Sequence, residues 1–199
     1  IIMAIQINGN GTITGISVGG LPNGIVDTDM IAANAVSSGK LATGAGGKIL
    51  QYKTAKRNTG NTEVTSTSYQ EVHSDLRITL TPIASDSIIH VLAYIYCSNN
   101  DNKYTTFRMR RNTASDFSGT STEVLTGSDT AGDDDGVCSV YANEISVIAP
   151  VVVYETSGNT TARTYSPFYR NNGGTTYVNR RTGGTYHGLS TMTVMEIAA

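Results

Sequence analysis

The chain has 199 residues and a formal net charge of -2, and charged residues make up only 15% of it, against about a quarter in an ordinary globular domain. Thr, Ser, Asn and Gly fill roughly two-fifths of the sequence instead, which favours strands and turns over helices. No apolar run is long enough for a membrane span, near-neutral charge argues against an electrostatic nucleic-acid binder, and the composition points to an all-β protein.

Residues 1–48 contain no aromatic side chain, and their basic residues are Lys40 and Lys48. The stretch Ile13-Thr14-Gly15-Ile16-Ser17-Val18-Gly19-Gly20-Leu21-Pro22 is small and Gly-punctuated. Then Asp27-Thr28-Asp29-Met30-Ile31-Ala32-Ala33 reads as an acidic first turn opening a short helix, capped by Asp27 or Thr28. Gly44-Ala45-Gly46-Gly47 reads as a hinge. A segment so poor in apolar mass has two readings: a disordered tail, or an extended stalk in which identical chains wind together and share a core. The second is the expectation adopted for 1–48, with a β-domain over 49–199.

From Ile49 onward, strand patterns alternate with polar turns. Strands are expected near 49–57, 62–72, 76–81, 87–97, 103–111, 137–142, 144–154, 162–170, 175–181 and 190–197. Turn signals such as Asn99-Asn100-Asp101-Asn102 and Asn171-Asn172-Gly173-Gly174 separate them. This is the spacing of an antiparallel β-sandwich or jelly roll. Two strands break the usual alternation. Ile88 to Cys97 and Ile145 to Tyr154 are largely apolar on both faces. An antiparallel sheet normally shows water one face, so the second face implies either a covering layer or a subunit interface. Together with the stalk, this favours a homo-oligomer.

Catalytic and metal signatures are weak. Gly44 to Ile49 lacks the spacing and the final Ser or Thr of a phosphate loop. His73, His90 and His187 lie far apart, without an HExxH pattern. Asp129, Asp133, Asp134 and Asp135 form an acidic cluster without EF-hand spacing, read as a solvated loop. Cys97 and Cys138 form no CxxC motif and fit either two free thiols or one bridge. Glutamates occur on several expected strands, but nothing places two of them as a glycosidase pair. The reading is a non-enzyme without cofactor or metal. The region from Arg163 to His187 is more suggestive. Tyr165, Tyr169, Arg170, Tyr177, Arg180, Arg181 and Tyr186 combine flat apolar rings with directional donors, which suits sugar or protein surfaces. These seven are the candidate receptor-binding residues; the competing reading makes the tyrosines ordinary cross-strand side chains.

The opening Ile5-Gln6-Ile7-Asn8-Gly9-Asn10-Gly11-Thr12-Ile13-Thr14-Gly15-Ile16-Ser17-Val18-Gly19-Gly20-Leu21-Pro22 resembles the start of tail-fibre and other virion-fibre proteins of bacteriophages, notably marine and cyanobacterial ones. Gly24 to Ala32, Lys40-Leu41-Ala42 and Gly47-Lys48-Ile49-Leu50-Gln51 are similar to the same family. So are Leu80-Thr81-Pro82-Ile83-Ala84-Ser85-Asp86-Ser87 and the ending Ser190 to Ile197. The resemblance implies a trimeric structural protein of the virion, on the tail or the capsid surface. Its N-terminal segment would attach to other virion proteins, and its C-terminal β-domain would bind a host-surface glycan or protein. It implies no particular binding residues.

Overall fold

The computed structural model describes residues 6–7, 13–14, 31, 36, 48–60, 62–119, 121–124, 136–181, 184 and 187–199. The chain divides into two compact units, Ile1–Gly46 and Gly47–Ala199. In the first, β1 (Gln6–Ile7) pairs antiparallel with β2 (Ile13–Thr14). The remainder of the expected stalk, including the short helix after Asp27 apart from Ile31 and Val36, lies outside the described residues.

The second unit is an antiparallel β-sandwich. Its strands are β3 (Ile49–Arg57), β4 (Thr62–Val64), β5 (Gln70–Glu71), β6 (Ile78–Leu80), β7 (Ile88–Asn99), β8 (Tyr104–Asn112), β9 (Thr122–Val124), β10 (Cys138–Tyr141), β11 (Val147–Thr156), β12 (Arg163–Asn171), β13 (Thr176–Val178) and β14 (Ser190–Ile197). Sheet I runs β3-β14-β7-β11, with β13 and β4 continuing the lines of β14 and β3 past Cys97. Sheet II has β8 and β12 at its centre; β10 and β9 flank β8, and β5 and β6 flank β12. Thus β3-β14-β7-β11 faces β6-β12-β8-β10, each sheet interleaving early and late strands in jelly-roll order.

Period-two patterning explains the core. Ile89, Val91, Ala93, Ile95 and Cys97 on β7 all point inward, as do Ala149, Val151 and Val153 on β11 and Met192 and Val194 on β14. Sheet II answers with Ile78, Leu80, Phe107, Met109, Tyr165 and Tyr169. The Phe107 and Tyr169 rings stack with centroids 6.1 Å apart. Burying this many large side chains, each worth about 1.5–3 kcal/mol, is what offsets the ordering of so many Thr and Asn residues.

Several expectations shift in detail. The segment 62–72 is two short strands, β4 and β5, separated where the Ser66 hydroxyl accepts from the Ser68 amide. The 3-10 turn Ser74–Leu76 leads into β6, and β9 was not anticipated. The two Asn-rich turns meet at one end of the sandwich. Asn99 donates to Asn171 at 3.0 Å, and the Asn100 carbonyl oxygen of its side chain accepts from the Thr175 amide at 2.7 Å. Gly174 there has φ +66° and its backbone approaches Asp101 so closely that a Cβ would sit 2.4 Å from that residue's Cβ. Gly174 is therefore required by both conformation and space, and Gly173, at φ +123°, by conformation.

Candidate interaction surfaces

The seven candidate residues separate into different environments. Tyr165 and Tyr169 are 0% exposed and belong to the core. Their place on the inward face of β12 corrects the expectation that they contact a receptor. The Tyr165 hydroxyl donates to Glu155 at 2.6 Å, and burial together with that bond raises its pKa. Arg170 lies on the opposite face of the same strand, on the outside of sheet II, 5.3 Å from the Tyr69 ring. Tyr177 and Arg180 sit together near the end of sheet I, the guanidinium 4.5 Å from the ring centroid. Arg180 also donates to Glu63 at 2.7 Å, and Arg181 donates to the Glu144 carbonyl at 3.1 Å. Tyr186 is outside the described residues, as are Asp129 and Asp133 to Asp135.

A second group on the outside of sheet II was missed. Arg108 and Arg110 on β8 and Phe168 and Arg170 on β12 point outward from neighbouring positions. Tyr69 covers Arg108 at 3.5 Å, while Arg110 lies 5.0 Å from Phe168. Phe117, at φ +58°, brings its ring to 5.5 Å from Phe168 and 5.6 Å from Arg77. Arg77 in turn makes a two-bond contact with Glu71, each bond 2.7 Å. The signal was available: Arg108-Met109-Arg110 alternates within an expected strand, so both guanidiniums share one face.

The outside of sheet I is its chemical opposite. Successive rows across β3, β14, β7 and β11 present Tyr52, Met195, His90 and Tyr154; then Thr54, Thr193, Leu92 and Val152; then Lys56, Thr191, Tyr94 and Pro150. Tyr96 and Ile148 extend the face at one end, and Ile197 and Ile88 at the other. Tyr52 and Tyr154 are each 62% exposed and Ile148 60%. A shallow hollow of about 540 Å³ lies between β3 and β14, lined in part by Tyr52, Thr54, Lys56, Thr191 and Thr193. Gly188 packs flat on the Tyr96 ring, with no room for a Cβ.

A separate polar cleft of about 300 Å³ is lined by Arg111, Asn112, Thr113, Thr122, Asn159, Thr161, Ala162 and Arg163. Its floor is structural. Arg163 donates to Ser157 and Asn159, and Glu155 accepts from Arg111 at 2.9 Å as well as from Tyr165. Among the described residues, no three His, Cys, Asp or Glu side chains gather as a metal site. Both cysteines are free thiols, and burial raises the Cys97 thiol well above its ordinary range. No described helix is long and apolar enough to cross a membrane.

No family model and no curated protein sequence matches the chain. Among solved structures, it is similar to the Eiger TNF of S. frugiperda at 9% identity and a TM-score of 0.43, covering 74% of this chain and 93% of that one. It is also similar to a structure of infectious bursal disease virus, Gx strain, at 9% identity and a TM-score of 0.33. That alignment covers 75% of this chain but only 38% of the viral chain.

Proposed function

We propose that this chain is a non-enzymatic structural subunit of a bacteriophage fibre, working as a homotrimer on the tail or capsid surface and carrying its sandwich as a host-binding head. The observation that carries this reading is the outward face of sheet I. A sandwich that works alone gains nothing by turning Tyr52, Tyr94, Ile148, Val152 and Tyr154 toward water, whereas an assembly subunit needs such a surface. The N-terminal segment, similar in sequence to the start of virion-fibre proteins, would tie the chains to the rest of the particle. The arginine and aromatic cluster of Arg77, Arg110, Phe117, Phe168 and Arg170 supports adhesion, because rings and guanidiniums recognise sugar faces and acidic groups. Three weak sites on one fibre would give avidity without a deep pocket.

The test is binding of the full chain to host cells and to isolated surface polysaccharide. The expected result is retention on cells with no new reducing ends. Release of reducing ends would instead make the protein a glycan-degrading tailspike. Failure to bind cells, together with presence on the particle, would make it a decoration protein.

A further inference from the structure

At the end of the sandwich opposite the Asn-rich turns, the inward positions stop being apolar. On β8 the alternation that buries Phe107 and Met109 makes Arg111 the next inward residue. On β12 the same period leads from Tyr165 to Arg163, and on β11 from Val153 to Glu155. These three charged side chains meet beneath the polar cleft, where the Glu155 carboxylate is fully engaged. Its Oε1 accepts from Tyr165 at 2.6 Å, from Arg111 at 3.1 Å and from Arg163 at 3.4 Å, and its Oε2 lies 2.9 Å from Arg111 Nη1.

What the cleft shows to solvent is therefore donors. The Arg111 side chain is 34% exposed and meets Glu155 through Nη1; its Nε and Nη2 have no hydrogen-bond partner among the described residues. That edge of a guanidinium meets a carboxylate through two parallel bonds. Around it stand the hydroxyls of Thr113, Thr122 and Thr161 and the Nδ2 of Asn159, on exposed residues and likewise unengaged among the described residues. The lining holds two guanidiniums and no carboxylate, so charge and donors together select an anion. Its volume of about 300 Å³ is at the lower end of small-molecule sites and more than a bare inorganic ion fills. Hydroxyls spread around the rim match a ligand that carries hydroxyls of its own. No aromatic ring belongs to the lining, so a neutral sugar gains no stacking there.

We propose that this cleft binds one carboxylated sugar residue, with its carboxylate on Nε and Nη2 of Arg111 and its hydroxyls on Thr113, Thr122 and Thr161. The site is separate from the arginine and aromatic cluster outside sheet II, and it does not depend on the fibre reading or on assembly.

Calorimetric titration of the full chain tests it, with trigalacturonate and sialyllactose as acidic probes and lactose and sodium sulfate as controls. Saturable binding of either acidic probe is expected, with neither control displacing it at equal concentration. Which probe binds distinguishes a hexuronate within a chain from an acid on a chain end. Arg111→Lys keeps a charge beside Glu155 but loses the fork, and should weaken that binding about tenfold or more. Thr161→Val changes an exposed loop residue and should weaken it about threefold with an unchanged thermal midpoint, which keeps the test decisive should the arginine variant fail to fold. Binding of neither acid would overturn the proposal, as would full displacement by sulfate, the mark of a simple anion site. Undiminished affinity in both variants, or a loss in Arg110→Ala instead, would place the sugar elsewhere and overturn it too.

Discussion

Glu196 illustrates how a single buried charge is tolerated in a chain with so few of them. It sits on β14 with no exposed surface. Its carboxylate accepts from Ser87 at 2.7 Å, the Ile83 amide at 2.8 Å, the Ala84 amide at 3.2 Å and Gln51 at 2.6 Å. Desolvation pushes this carboxyl upward, but the bonds from Ser87, Ala84, Gln51 and Ile83 outweigh it and hold the group below its ordinary range. Because the folded value is depressed, the ionised group stabilises the fold above the unfolded value near pH 4.3, and that contribution fades as pH falls through the folded value. Glu196→Gln should therefore cost about 1–3 kcal/mol at pH 7. The gap from the natural chain should narrow at pH 3 in urea titrations; a gap that stays constant would contradict this account. The two buried tyrosines of β12 make a matched pair. The Tyr169 hydroxyl is buried with no hydrogen-bond partner, so Tyr169→Phe is expected to be neutral or mildly stabilising. Tyr165→Phe removes the bond to Glu155 and should cost about 1–2 kcal/mol. Equal effects in thermal melts would show that the hydroxyls do not differ.

At the scale of strands, β7 and β11 hold the sandwich and its exposed face together. Their odd-numbered residues from Ile89 to Cys97 and from Ala149 to Val153 fill the core, while the even-numbered ones form the outer apolar rows. The Gly188 contact with Tyr96 stitches the chain entering β14 onto β7. Gly188→Ala should cost about 1–3 kcal/mol through overpacking, visible as a lower midpoint in denaturant. This layout was largely legible in sequence, because period-two alternation marks inward positions and Asn-Gly clusters mark turns. The doubled apolar pattern of Ile88 to Cys97 was legible too. What stayed hidden was pairing across long separations. Nothing local told that Tyr165 and Tyr169 face inward while Arg170 faces out, since β12 carries large side chains on both faces. Nor does local pattern show that Tyr69, Phe117 and Arg110 converge from three separate segments.

For the whole molecule, a low charge fraction and a surplus of Thr, Ser and Asn describe a sandwich whose outer faces carry different chemistry. One is aromatic and nearly uncharged; the other sets arginines against rings. The division fits a subunit that spends one face on its own copies and keeps the other for contact with a host. Assembly is the central claim, and sedimentation equilibrium of the full chain at neutral pH tests it most directly. The account predicts a single species of three times the 21.0 kDa chain mass; a single species of 21.0 kDa across the accessible concentration range would contradict it.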